Sequence, residues 1–259
     1  MLKRIGKRLL LLAMGVILVG LAIWGAHNSA LKALQFPTQA EINASTNTGA
    51  ALSSSEAAAV TRSRQSSVQV FSYDLSDGGI SAMSGTYLTY KNKYFVLTAA
   101  HGIYGPCGFT NIVVEDTLYP CRQYVLTDRQ WDYMIIEVDK ILHRRPVKIP
   151  DQIPHRREWK EELATQNGIF YTGYPNDGGP YTFDGRVVGY QEDAALFVDG
   201  YGWSGSSGAG VFSQSGNLIG WVMALEVGYT EFGPQVLENF IWVIPLFKID
   251  WPAVAGFSE

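Results

Sequence analysis

The sequence predicts an all-β fold of many short strands, in sandwiches or small barrels, preceded by an N-terminal apolar helix. From about residue 66 the chain runs as short stretches rich in β-branched and aromatic residues. Glycine and Asx turns separate them, as at Lys91-Asn92-Lys93 and Ser215-Gly216-Asn217. Helical stretches are few there, as in sandwiches and small barrels. The strands also fall into two sets, divided by a polar, Pro-containing segment at 139–162.

Composition agrees with a folded chain. Of 259 residues, 47% are hydrophobic and 17% charged, which excludes wholesale disorder and leaves enough apolar material for a core. The net charge of −4 argues against a dedicated nucleic-acid binder. The two cysteines are too few for a disulfide scaffold or a four-Cys zinc site.

The elements follow in order. Lys3, Arg4, Lys7 and Arg8 precede an uncharged apolar run at 9–26. As a helix this run is about 27 Å long, close to the hydrocarbon thickness of a bilayer. It exceeds the apolar core of a cleaved signal peptide and lacks a clean cleavage site, so a transmembrane anchor is the better reading and a signal sequence the other. The flanking charges leave the N-terminus cytoplasmic and the rest of the chain outside, or secreted if the segment is cleaved. Residues 27–63 read as a flexible linker of small polar residues, with a short helix conceivable at Ser55-Glu56-Ala57-Ala58-Ala59. The β domain is expected at 64–259, its strands in two sets on either side of the polar segment. Strands are expected at 68–73, 83–90, 93–98, 111–115, 119–127 and 132–138. The second set is expected at 168–173, 183–190, 194–198, 210–213, 218–225 and 240–244. The crossover carries His143-Arg144-Arg145 and His155-Arg156-Arg157, read as a solvated charge run rather than a docking surface.

Three stretches carry chemistry. Tyr94-Phe95-Val96-Leu97-Thr98-Ala99-Ala100-His101 is an apolar strand whose two alanines permit a tight turn and present an imidazole at the strand end. Asp132 opens the apolar run Tyr133-Met134-Ile135-Ile136, where a carboxylate needs a partner such as an imidazole N–H. Gly202-Trp203-Ser204-Gly205-Ser206-Ser207-Gly208-Ala209-Gly210-Val211-Phe212 is poor enough in side-chain bulk to let main-chain N–H groups converge beside a serine. Each stretch alone has a plainer reading: a structural histidine, a turn-capping aspartate, a Gly/Ser turn.

Together, in the order His101, Asp132, Ser207, they resemble a chymotrypsin-like (trypsin-like) serine protease. The resemblance rests on Leu97-Thr98-Ala99-Ala100-His101, Asp132-Tyr133-Met134-Ile135-Ile136 and Gly205-Ser206-Ser207-Gly208-Ala209-Gly210-Val211, and covers about 66–250. It implies two antiparallel β-barrels, at about 64–140 and about 163–250, with an active site between them, a protein or peptide substrate, and no cofactor. Ser207 would be the nucleophile, His101 its general base, Asp132 the group that orients the imidazole, and the amides of Gly205 and Ser207 the oxyanion hole. Ser204 also reads Gly-x-Ser-Gly, but only Ser207 leads through Ala209 and Gly210 into an apolar strand. All four histidines precede Ser207, which excludes the α/β-hydrolase order, and no His-Glu-x-x-His metal motif occurs.

The departures are informative. Ser206 stands where many relatives place an aspartate that pairs with a newly cut N-terminus, so no such activation is expected. Tyr201 occupies the position where trypsin-type members keep a selector aspartate. Met223, Ala224 and Leu225 are expected as an apolar edge pairing with substrate, and Glu238 as either a pocket wall or an exposed turn. Cys107 and Cys121 either form a disulfide or remain separate thiols. The competing reading is a catalytically inactive, membrane-anchored module that binds peptides or serves as a scaffold.

Overall fold

The computed structural model describes residues 52–76, 78–151, 153, 163–191, 195–231 and 233–256. The apolar run at 9–26, the linker up to 51 and His155-Arg156-Arg157 lie outside the described residues. Among the described residues no helix is long and apolar enough to cross a membrane.

The described chain begins with helix α1 (Ser54–Ser66). Eight strands follow: β1 (Ser67–Tyr73), β2 (Ile80–Tyr90), β3 (Lys93–Thr98), β4 (Thr110–Val114), β5 (Thr117–Pro120), β6 (Gln123–Asp128), β7 (Tyr133–Glu137) and β8 (Val147–Lys148). The second set is β9 (Gly168–Gly173), β10 (Tyr181–Gln191), β11 (Ala195–Gly200), β12 (Gly210–Ser213), β13 (Leu218–Thr230) and β14 (Gly233–Pro245). Helix α2 (Trp251–Gly256) ends the described chain. The second set closes into a six-stranded barrel in the order β10-β11-β14-β13-β12-β9.

The first set differs from the expected closed barrel. It is an eight-stranded sheet, β5-β4-β1-β2-β3-β7-β6, with β8 added parallel to β2. The run expected as one strand at 119–127 breaks after Pro120, and its two pieces pair at opposite edges of the sheet, β5 with β4 and β6 with β7. The β4–β5 pairing runs one step past the proline, with Cys121 N donating to Thr110 O (3.1 Å), and the chain then changes edges, Arg122 N donating to Glu137 O (2.9 Å) beside β7. The Tyr124 hydroxyl of β6 donates to Gly105 O (2.8 Å). The Cys107–Cys121 disulfide ties the segment before β4 to the link between β5 and β6.

Two further differences have local causes. The part of the expected linker from Ser54 onward is helical, because Ser53 and Glu56 form a reciprocal capping box. The helix docks on barrel two through Ser63 Oγ to Thr172 Oγ1 (2.8 Å) and Arg62 to Gly216 O (2.6 Å). Strands β13 and β14 are also longer than expected, and beyond Leu225 they pair only with each other as a two-stranded ribbon.

Strands β3 and β7 are buried on both faces, which is why their sequences run apolar without alternation. Phe95 and Leu97 belong to the core shared with barrel two and α2, whereas Val96 faces the interior of the first sheet. Tyr87, fully buried, accepts a hydrogen bond from Ile141 N (3.0 Å), and burial pushes its phenol up to about 12; burial also raises that of Tyr171. A phenol raised in the folded state supports folding fully below its unfolded value of about 10 and loses that support as pH climbs toward the folded value. Urea midpoints should therefore fall between about pH 10 and 12, and less steeply in Tyr87→Phe. An unchanged slope in that variant would remove Tyr87 from the account.

Candidate active site

The β3–β7 ladder ends at Thr98 opposite Met134. The chain leaving β3 therefore turns beside the residue that enters β7. Ala99 and Ala100 are buried in that turn, and Ala100 N donates to Asp132 O (3.3 Å). His101 emerges exposed at the cleft while Asp132 stays buried, with a left-handed φ of 52°. One carboxylate holds the histidine twice: Oδ2 lies 2.6 Å from His101 Nδ1, and Oδ1 accepts from His101 N (2.7 Å). An ionised carboxylate only accepts, so Nδ1 carries the ring proton and Nε2 has its lone pair free. Trp221 of barrel two donates its indole N–H to Asp132 O (3.2 Å), linking the pair to the second barrel.

The serine loop is a tight turn at the start of β12. Ser206 N donates to Trp203 O (2.9 Å), and Trp203 N to Ser206 Oγ (3.3 Å). Thus buried Ser206 is satisfied by its own loop. Gly205 and Gly208 have φ of 94° and 86°. A Cβ on Gly208 would lie 2.2 Å from Ser84 O, and one on Gly205 would lie 2.6 Å from Tyr174 O. Both glycines are thus required by backbone conformation and by close approach.

The loop presents two amides. The carbonyl of Ser204 accepts from Asn176 N (2.7 Å) and that of Ser206 from Ala209 N (3.0 Å). In a trans peptide the following N–H points the opposite way. The amides of Gly205 and Ser207 therefore turn away from these anchors, and neither donates to a protein acceptor among the described residues. The Ser207 hydroxyl donates to Met223 O (3.2 Å), and no hydrogen bond joins it to His101. Met223 sits where the β13–β14 register slips between Val222 and Ala224.

His101, Gly205, Ser207, Met223, Ala224 and Leu225 line one cleft of about 390 Å³. The sequence reading missed Met83, Tyr104, Trp203, Val227 and Val236, which also line it. Trp203 was visible inside the Gly/Ser stretch; the others come from segments that no local pattern connects. Two expected specificity residues are not among the lining. Tyr201 packs its ring on Phe183 (centroids 5.4 Å apart), and its carbonyl accepts from the Tyr171 hydroxyl. Glu238 has an exposed side chain and contributes its carbonyl to Gly202 N (2.7 Å). The cause is a bulge: pairing with β13 jumps from Leu225↔Ile241 to Glu226↔Leu237, so residues 238–240 leave β13, while Phe240 stays paired with Asp199 of β11.

A closed β-barrel beside a half-barrel, with a histidine–carboxylate pair and a serine facing one cleft, is the architecture of the chymotrypsin-like hydrolases. The chain belongs to the trypsin-like peptidase domain family, whose sequence profile matches residues 83–220. Among solved structures it is similar to the serine endoprotease from Yersinia pestis, with 19% identity, TM-score 0.59, and coverage of 79% of this chain and 68% of that one. It is also similar to the active form of the Rv3671c protease from M. tuberculosis, with 17% identity, TM-score 0.54, and coverage of 76% and 81%. The HtrA-type protease AlgW with tripeptide matches at 18% identity and TM-score 0.53, over 74% of this chain and 60% of that one. These likenesses establish the fold. Among curated proteins, endo-1,4-beta-xylanase 2 of Rhizopus oryzae is 28% identical over an alignment of 105 positions that covers 36% of this chain and 46% of that protein. The chain thus spans about half the length of the curated relative it matches.

Proposed function

We propose that the chain is a serine endopeptidase, tethered to a membrane by residues 9–26, with its catalytic domain outside the cytoplasm. The observation that carries the reading is one cleft that holds Ser207, two undonated amides and an imidazole gripped twice by Asp132. Ser207 Oγ adds to the scissile carbonyl carbon as its proton passes to His101 Nε2. The amides of Gly205 and Ser207 receive the oxyanion. The C–N bond then breaks as the imidazolium protonates the leaving amine, and water repeats the sequence on the acyl-enzyme.

The hydroxyl must first rotate off Met223 O. Catalytic hydrogen bonds are often unformed without substrate. A substrate strand laid along residues 223–225 offers an N–H to that same carbonyl and so releases the serine. The alternative of an inactive peptide-binding module draws on the same contact, because the serine rests on Met223 rather than on the base. Glycoside hydrolysis, suggested by the xylanase match, needs two flanking carboxylates, and the cleft lining has none. Labelling by a fluorophosphonate probe, absent in Ser207→Ala, supports the peptidase; an unlabelled wild-type chain leaves the inactive module.

Specificity is expected to favour small apolar residues before the scissile bond. A Cβ on Gly202 would lie 2.5 Å from both Leu225 Cδ2 and Ile241 Cγ2, so these methyls already fill the space beside the loop. Leu225→Ala should raise kcat/KM for peptides with Phe or Leu there by about tenfold, measured with a peptide library. Equal gains for all side chains would sink this assignment.

A further inference from the structure

We propose that Ser84 is a positioning residue that aims the Gly205 amide into the cleft, an inference that rests on the peptidase reading. Ser84 lies on β2 of the first sheet and is fully buried. Its hydroxyl reaches across to two loops of the second barrel, donating to Gly205 O (2.7 Å) and accepting from Tyr174 N (2.8 Å). A hydroxyl has one proton, so with the donor and one acceptor site both engaged its rotation is set. The Ser84 amide donates to Ser207 O (3.1 Å), and the Ser84 carbonyl accepts from Thr98 Oγ1 (2.7 Å), which ties the group to β3. Two residues along the same face of β2, Thr86 Oγ1 donates to Gly208 O (3.3 Å). One strand of the first sheet thus holds the carbonyls of residues 205, 207 and 208.

The consequence for chemistry lies at Gly205. Sterics require a glycine there, and glycine is the residue with the most backbone freedom. Its direction is set by its two flanking peptides. The Ser204 carbonyl is anchored by Asn176 N, and the Gly205 carbonyl by Ser84 Oγ. With both carbonyls held, the φ of 94° and the heading of the Gly205 N–H are determined. Without the Ser84 hydroxyl the second peptide keeps only its Ser206 N–H bond to Trp203 O, and the 174–176 segment that anchors the first peptide through Asn176 N loses its tie at Tyr174 N, so a donor that must meet a developing oxyanion loses its aim. Ser84 touches neither substrate nor the reacting atoms; it acts through Gly205, and makes the rate depend on the docking of the two β units.

The test uses the full chain with a fluorogenic peptide and a peptide boronate. The boronate boron accepts the Ser207 Oγ lone pair with no leaving group, and it places an oxygen at the oxyanion position. In Ser84→Ala, kcat should fall about 10- to 100-fold while KM stays within about twofold, and boronate affinity should fall by the same factor as kcat. Ser84→Cys keeps the size but offers a weaker donor, and should give intermediate values. If Ser84→Ala does not fold, the same comparison between Ser84→Cys and the wild type decides. A lowered melting temperature with wild-type kcat and boronate affinity, measured where both proteins are folded, would show a merely structural serine and overturn the proposal. Equal hydrolysis by the wild type and Ser207→Ala would overturn the peptidase reading itself, and this inference with it.

Discussion

Replacing Ser207 by alanine should lower kcat for peptide hydrolysis by on the order of 10⁵- to 10⁶-fold and abolish labelling by a fluorophosphonate. The loss comes from chemistry rather than folding. The hydroxyl makes one side-chain hydrogen bond, to Met223 O at 3.2 Å, and the loop is held by other atoms: Ser206 N to Trp203 O, Gly208 N to Val222 O, and Ser84 N to Ser207 O. The melting temperature of the variant should therefore stay within a few degrees of the wild type. Ser204→Ala is the matched control. Ser204 lines the same cleft and has its own Gly-x-Ser-Gly context, yet its carbonyl, not its side chain, is what Asn176 N anchors. Substantial activity in Ser207→Ala together with its loss in Ser204→Ala would reassign the nucleophile.

Asp132→Asn is expected to cost about 10⁴-fold in kcat with little change in KM. The amide oxygen can keep the bond from His101 N that Oδ1 now accepts at 2.7 Å, so the turn after β3 should persist. The amide NH₂ would then face Nδ1, where Oδ2 now lies at 2.6 Å. Two donors cannot share that contact, so the ring proton moves to Nε2 and the imidazole can no longer accept the serine proton. Steady-state kinetics measures the loss. A decrease below tenfold would mean that the carboxylate does not orient the base. The double grip also explains the unusual backbone of this residue: a left-handed aspartate at the mouth of a strand is costly, and contacts to His101, Ala100 and Trp221 hold it there.

The strands bearing the histidine and the aspartate were legible because both their faces are buried, so their apolar runs are continuous. The bounds of β3, β9 and β12 coincide with those read from sequence. The serine loop was legible because its tight turn and close approaches leave room only for glycine at 205 and 208. Helix α1 was half legible: the Ser53 and Glu56 capping box is a local pattern, but its docking on Thr172 and Gly216 is not. Tyr201 and Glu238 were placed by counting along the chain from Ser207 and the following strand. Counting fails where a bulge inserts residues into one strand, as at residues 238–240. The expected closure of the first barrel failed for a related reason. The chain changes edges between Cys121 and Arg122, so the two halves of an apparent strand pair on opposite sides of the sheet.

By itself the sequence determined the β class and marked the stretches that carry His101, Asp132 and Ser207, because each depends on residue type within a short span. Only the tertiary structure decided how these groups meet: the double hold on His101, the serine resting on Met223 O, the cleft walls from Met83 to Val236, and the grip of Ser84 on the serine loop. Those contacts join residues far apart in the chain. A hydrogen bond between distant segments depends on strand register, bulges and the docking of two sheets, and none of these leaves a mark in the spacing of neighbouring residues.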